Sequence, residues 1–367
     1  MRKSLVYVGL DVHKDSIVIA TTIGRGEATF VCTIINDWVT LLKELDKMGD
    51  RTRLRVCYEA GPTGYGLARQ LNANGICTVV IAPSRIPREP GQRVKTDRRD
   101  ARKLSSLLRA GLLTEVKIPD EQQEAMRDLE RARDDAKNAE RVVRHQLDKY
   151  LLRHGRNWSR TKWTRLHWAW IKRQAFPAEA SRRVLDDAIR AVEEATARVE
   201  RLEKDIEELV ETWSLGPLVR ALQALRGMRL MSAVIVAAEL GDVAQFSSPC
   251  KMMGFLGQVP SENSSGQRRR QGRITRTGNS HVRRILTESA WNYRFRPRPS
   301  RTIQKRREGL PREIVAIAEK AEQRLSRRYQ HLIHRGKSGP KTVTAVAREL
   351  TGFIWAIAQE VRKQEAA

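Results

Sequence analysis

Four carboxylates stand where folding could bring them together. Asp11 closes the apolar run SLVYVGLD, Glu59 closes LRVCYE, and Asp97 and Asp100 open KTDRRDARKL. Acids at the ends of neighbouring strands can point into one crevice, and acids three apart on a helix share a face. Converging carboxylates repel one another, and a hard divalent cation is the natural remedy. Mg²⁺ takes one or two carboxylates plus substrate phosphates, and a pair of ions ~3.5–4 Å apart stabilises the attacking and leaving oxygens of a phosphodiester. Three of the acids also have a structural alternative: Asp11 as a turn acid, Asp97 as an N-cap and Asp100 as a first-turn residue favoured by the helix dipole. Glu59 has the weakest, since an acid directly after Leu-Arg-Val-Cys-Tyr gains nothing structural there. His13 and Asp15, just beyond Asp11, read as turn residues rather than ligands.

The elements around these acids can be read from periodicity. Residues 4–11 and 16–23 are β-branched strands joined by a tight polar turn over 12–15, and 29–35 is a third strand. Helical spacing over 37–48, a strand at 54–59, a helix to about residue 74 and a strand at 77–82 follow. Pro83, Pro87 and Pro90 impose an extended segment before a helix over 97–110. The order β-β-β-α-β-α-β-α predicts a mixed sheet flanked by helices. Residues 120–153 and 178–213 predict two long helices. The second places Leu185, Ile189, Val192, Val199, Leu202, Ile206, Leu209 and Trp213 on a coiled-coil or hairpin seam, which calls for a partner helix in this chain or another copy. After Gly216-Pro217, LQALRGMRLMSAVIVAAELGD reads as helix, glycine turn, helix. It is either a helix-hairpin-helix with amides facing a phosphate or a packed αα-hairpin; Arg229 stands where the former usually has a second glycine. Helices over 313–332 and 341–363 complete the packing. The expected fold class is α/β plus α: a sheet domain (1–115), a helical arm (116–215) and a helical domain (216–367).

Charge narrows the function. The 367 residues carry a net charge of +26 with 40 % hydrophobic residues, too basic for an ordinary metabolic enzyme and too apolar for wholesale disorder. Half of that excess falls in residues 264–307, where 14 basic residues face the single carboxylate Glu288. The run is almost all arginine, whose planar fork matches phosphate, and it is interleaved with Trp291, Tyr293 and Phe295, which could stack on bases. A nucleic-acid partner is expected. A second basic zone, from Arg141 to Arg183, holds four of the eight tryptophans (Trp158, Trp163, Trp168, Trp170), either as core or as an RNA or single-strand platform. Cys32, Cys57, Cys77 and Cys250 show no metal-ligand spacing and read as buried, reduced thiols of a cytoplasmic protein. No apolar run approaches the ~18 residues of a membrane span, and the start enters a strand rather than a signal peptide.

GLDVHKDS, YEAGPTGYGLARQL and KTDRRDARKL together resemble the Asp-Glu-Asp-Asp tetrad of RuvC-like, RNase H-fold domains. More specifically they resemble the insertion-sequence transposases related to pilin-gene invertases. The resemblance covers nearly the whole chain, because FLGQVPSENSSGQRRRQGRITRTGNSHVRRIL is similar to that family's second motif. It implies an RNase H-like sheet domain with Asp11, Glu59, Asp97 and Asp100 as a Mg²⁺-binding tetrad. It further implies a nucleophilic serine immediately before a glycine, here Ser265 before Gly266, with Ser264 a neighbouring decoy and Ser261 a poorer one. Arg268, Arg269, Arg270, Arg273 and Arg276 would hold the DNA backbone, with Arg283 and Arg284 on the helix that follows. His281, beyond the Gly278-Asn279 turn, would cap that helix or contact phosphate. Also implied are a transient phosphoserine link to DNA, strand exchange, a homo-oligomer (dimer or tetramer) whose protomers share an active site through the arm, and targeting by a noncoding guide RNA. Two other readings stay open: a RuvC-type structure-specific nuclease using water, and a non-enzymatic nucleic-acid-binding protein with structural carboxylates.

Overall fold

A computed structural model describes residues 4–87, 96–266, 268–298 and 300–366, so Pro90 lies outside the described residues. The chain divides into two compact units, Met1–Asp120 and Glu121–Ala367.

The first unit is a six-stranded mixed sheet with helices on both faces, an architecture compatible with an RNase H-like domain. In chain order it comprises β1 (Val6–Val12), β2 (Ser16–Ile23), β3 (Thr29–Ile35), α1 (Trp38–Asp46), β4 (Leu54–Glu59), α2 (Gly66–Ala73), β5 (Cys77–Ile81), α3 (Asp97–Arg109) and β6 (Glu115–Val116). The spatial order is β3-β2-β1-β4-β5-β6. β1, β4 and β5 run parallel at the centre, with β2, β3 and β6 antiparallel to their neighbours. Alternation along the central strands sorts their side chains between two cores. Val6, Val8, Leu10, Leu54, Val56 and Tyr58 pack with Leu41 and Leu45 of α1 and Ala68 and Leu71 of α2. The opposite face meets α3, where Cys57 and Ile81 pack on Leu104, and Val18 and Ala20 on Ala101.

The second unit begins with two long helices, α4 (Glu121–Arg153) and α6 (Glu179–Val210), bridged by α5 (Arg165–Lys172). α4 and α6 pair with each other in antiparallel register. Tyr150 Oη donates to the Ser181 carbonyl at 2.6 Å, Arg144 faces Thr196, and Arg133 pairs with Glu203. The seam therefore has a partner within the chain. It also departs from the expected positions: Leu209 is 50 % exposed and Val210 takes its place. A 3.6-residue turn drifts against a 3.5-residue repeat, so the buried stripe steps from Ile206 to Val210 by four. Towards α5, Trp163, Trp168 and Trp170 pack on Leu147, Leu151, Leu185 and Ile189, around the buried His167, which stacks on Trp170. These indoles close the end of the hairpin as a small core.

The rest is helical: α7 (Gly216–Leu222), α8 (Leu230–Leu240), α9 (Pro249–Phe255), the hairpin β7 (Pro260–Glu262) and β8 (Gln271–Ile274), α10 (Ser280–Ala290), α11 (Arg301–Arg307), α12 (Arg312–His334) and α13 (Gly339–Glu365). α8 is apolar apart from Ser232 and Glu239, and it buries Ala233 to Ala238 in the helical core against α4, α7 and α10. The α7–α8 connection is a packed αα-hairpin. A Cβ on Gly227 would lie 2.4 Å from the Ser289 carbonyl of α10, and the Met228 carbonyl accepts from Arg306.

Two readings need correction, and one element escaped the sequence altogether. Only Cys57 is a buried thiol; Cys77, at the first position of β5, and Cys250, in the first turn of α9, are exposed. Of the aromatics in the arginine run, Tyr293 is fully buried and Trp291 packs against the helical core. Phe295 alone is exposed, with Arg294 over its ring. β6 carries only two residues, too short for a periodic signal, yet it pairs Val80 with Val116.

Candidate active site

In the first unit the acids are positioned by register and by one glycine. Parallel pairing of β1 with β4 runs to Leu10 opposite Tyr58, so Asp11 and Glu59 are the next residues on adjacent strands. By alternation both share the face of Gly9 and Cys57, the α3 face. A Cβ on Gly9 would lie 2.3 Å from the Ala101 carbonyl and 2.6 Å from the Ser105 amide, so α3 lies directly on the strand there. Thr22 Oγ1 meets Ser105 Oγ at 2.9 Å, Arg98 covers Phe30, and Arg109 reaches the Gly24 and Gly26 carbonyls. These contacts fix the start of α3 beside the end of β1.

Asp97 and Asp100 therefore stand in the first turn of a helix seated over Asp11. The N-cap is Thr96, whose side chain accepts from the Arg99 amide, so the capping role considered for Asp97 is filled by its neighbour. Asp11 lies within β1 opposite Val18, which removes the turn-acid alternative. His13 is closer to the chemistry than a turn residue. Its Nε2 lies 3.4 Å from Asp11 and 3.6 Å from Asp97, and one donor atom from each of the three residues falls within 4.8 Å of the others. The signal was available, because His13 follows Asp11 by two along a strand direction. Asn36 holds the turn by donating to the His13 and Lys14 carbonyls. Burial raises the Asp11 carboxyl above its usual range; His13 opposes the rise, and the charges of Asp97 and Asp100 add to it. The Asp11 and Asp97 carboxylates gathered with one imidazole form a donor set that suits a hard divalent cation. Glu59 is exposed at the end of β4 and is not among the three clustered residues.

In the second unit the serine motif forms the β7–β8 hairpin, rooted where Thr351 of α13 donates to Gln258 at 2.6 Å inside the core. The three serines sort by environment. Ser261 Oγ lies 2.4 Å from where a Cβ on Gly272 would stand, so it packs across the hairpin against that glycine. Ser264 Oγ donates to Glu262 at 2.9 Å and accepts the Arg270 amide at 3.1 Å, which ties it to the loop. Ser265 is exposed at the tip, exchanging backbone hydrogen bonds with Arg268 around Gly266, whose φ is +56°. Among the described residues nothing bonds its hydroxyl.

Arg268, Arg269, Arg270, Arg273 and Arg276 are all exposed on this hairpin and its exit. Arg283 and Arg284 are engaged with the protein itself. Arg283 donates to the carbonyls of Leu256, Thr277 and Gly278, and burial lowers its pKa; Arg284 pairs with Asp134 at 2.8 Å. His281 does not cap α10. Asn279 is the cap, and His281 Nε2 lies 3.0 Å from Glu130, a side chain only 1 % exposed on α4. That contact holds the imidazole above its usual pKa against the cost of burial, with Asp134 assisting. Beside it, Glu239 is buried against Arg131 and Asn279, and its carboxyl sits below the usual range: burial would raise it, but these hydrogen bonds outweigh burial. Single-sequence reading missed Glu130 and Glu239, because nothing in a helical run marks which acid will be buried.

Comparison with known proteins completes the assignment. Residues 8–155 match a family model described as Transposase (DEDD_Tnp_IS110), and residues 219–304 match one described as Transposase IS116/IS110/IS902 family. A Sinorhizobium fredii protein named "Putative transposase y4qE" is 42 % identical over 97 % of this chain and 89 % of its own. The transposase for insertion sequence element IS1533 of Leptospira borgpetersenii is 33 % identical over 90 % of this chain and 97 % of its own. The chain belongs to the IS110 transposase family. It is therefore a DNA-cleaving and strand-transferring enzyme. The first matched segment of this transposase carries Asp11, Glu59, Asp97 and Asp100 and the second carries the serine hairpin and α10, while α12 and α13 lie beyond both. A DEDD-type domain indicates divalent-metal use, and the acidic cluster around Asp11 is where the donors gather. Among the described residues no helix is long and apolar enough to cross a membrane.

Proposed function

We propose that this transposase recombines DNA through two sets of side chains: an Asp11-Glu59-Asp97-Asp100 tetrad that holds Mg²⁺, and the Ser265 hydroxyl as nucleophile. The observation that carries the metal reading is the gathering of Asp11, His13 and Asp97 donors within 4.8 Å at the start of α3. A bound divalent cation supplies positive charge to the phosphate oxygens of the scissile link. Asp11 and Asp97 would hold such an ion, Asp100 and Glu59 would add negative charge nearby, and His13 keeps Asp11 and Asp97 side by side.

Ser265 Oγ attacks phosphorus, and its proton passes through solvent to the leaving oxygen. The bond from phosphorus to a deoxyribose oxygen breaks, and that oxygen leaves as a hydroxyl. A phosphoserine ester then holds the strand until the hydroxyl of an exchanging strand attacks and restores the serine. The engagement of Ser264 with Glu262 and Arg270, against the exposure of Ser265 at the tip, supports Ser265 as the nucleophile. Arg268, Arg269, Arg270, Arg273 and Arg276 present guanidinium forks around it for the DNA backbone. The active form is a homo-oligomer, and a noncoding guide RNA delegates sequence reading to base pairing.

The test is a denaturing gel for a covalent protein–DNA adduct together with a recombination assay. Ser265→Ala should abolish both, Ser264→Ala should retain the adduct, and Asp11→Asn should abolish cleavage. Metal-dependent nicking that survives Ser265→Ala would instead favour hydrolysis by water. Sequencing of co-purifying RNA tests the guide, whose absence from active preparations would remove it.

A further inference from the structure

Outside both matched segments, α12 shows two opposed faces. Ile314, Ala318, Ala321, Leu325 and Leu332 are buried in the helical core. The other face carries Lys320, Arg324, Arg327, Arg328 and His331, all exposed and spaced at three, four and seven residues, so they form one stripe. At 1.5 Å per residue the stripe runs about 16 Å along the axis. It lines a groove together with Glu349, Gly352, Phe353 and Ala356 of α13.

Among the described residues lining this groove the only carboxylate is Glu349, and it is shared: Arg324 Nε lies 2.9 Å and Arg328 Nε 3.1 Å from its two oxygens. Lys320, Arg324, Arg327 and Arg328 against Glu349 leave a net +3 with His331 neutral. Glu349 holds two guanidinium forks side by side in advance, which reduces the side-chain ordering that ligand binding would otherwise require. Repeated cationic groups along a helix suit a repeating anion better than a single phosphate, and a transposase already has DNA as its polyanion.

We propose that the groove between α12 and α13 is a DNA-backbone site of this transposase, additional to the arginines of the serine hairpin. It rests on the family assignment and not on the role of Ser265. As a backbone-contacting site it positions DNA and carries no direct sequence information. Its contribution is electrostatic and falls with salt.

The experiment measures affinity of the full chain for a random-sequence DNA duplex, and for an RNA duplex of the same sequence, across a salt series. Lys320→Gln with Arg327→Gln should reduce the slope of log K against log salt on DNA by about 0.9 for each phosphate no longer neutralised. Arg198→Gln with Arg201→Gln, on exposed positions of α6, removes the same charge elsewhere and should change the slope far less. Glu349→Gln should tighten DNA binding, because it removes the groove's carboxylate while leaving four cations. A double variant matching the α6 control, a Glu349→Gln that weakens or leaves unchanged DNA binding, or a fall in slope on RNA alone would each overturn the proposal. A fall on DNA, with or without one on RNA, supports it.

Discussion

At the scale of single residues, Gly9 sets how closely α3, and with it Asp97 and Asp100, approaches Asp11. It stands two residues before Asp11 on the same face, and α3 reaches β1 only because no Cβ intervenes. Gly9→Ala would push the added carbon into the Ala101 carbonyl and lift the helix that carries Asp97 and Asp100. The expected outcome is a loss of ~1–3 kcal/mol of stability, as for overpacking elsewhere, together with a fall in DNA cleavage larger than the stability loss accounts for. Thermal denaturation and a cleavage assay on the same preparation check both parts; unchanged cleavage would mean that α3 need not sit so close. The same scale explains why the three serines of SENSSG are unequal: the Ser264 hydroxyl is hydrogen-bonded to Glu262 and Arg270, Ser261 packs against Gly272, and Ser265 stands exposed at the tip.

Between elements, the contact to watch is α4 against the start of α10. Glu130 meets His281, Asp134 meets Arg284, and Arg131 holds Glu239, which in turn receives Asn279, the cap of α10. The serine hairpin ends where this helix begins. Because Glu130 raises the His281 pKa, the protonated imidazole stabilises the fold. That contribution is complete below the unfolded histidine value of about 6.5 and is lost as pH rises through the raised folded value. His281→Gln should therefore lower the melting temperature most in mildly acidic buffer, with the gap from wild type narrowing as pH rises through and beyond neutrality. A gap that stays constant or widens with pH would contradict the charged pair. Glu130→Gln should remove the same pH dependence.

Across the whole molecule, 69 basic and 43 acidic side chains make the free protein a cation that repels itself and seeks a polyanion. Specific DNA binding should weaken steeply with salt. With 6–10 phosphates neutralised, affinity should fall by about 10³–10⁵ between 50 and 200 mM, measurable by fluorescence anisotropy. Binding that ignores salt would assign the arginines to some other task. The charge is not spread evenly: the serine hairpin carries its arginines in the open, while Arg283, Arg306 and Arg307 donate into backbone carbonyls or buried Glu322. Net charge alone therefore overstates the surface available to DNA.

The sequence by itself determined the order of the first five strands and their three helices, the two long helices, the basic segment and the four acids, because periodicity and charge are local properties; β6 and the β7–β8 hairpin were too short to leave such a signal. It also placed Asp11 and Glu59 at strand ends, from which parallel pairing makes them neighbours. Tertiary structure alone decided which polar groups are engaged. His13 joined the acids through the seating of α3 on Gly9, His281 turned inward to an acid about 150 positions earlier, Tyr293 entered the core, and Leu209 gave up its seam position to Val210. Each outcome depends on burial against a partner distant in the chain, and composition and spacing along one strand of sequence carry no record of that partner.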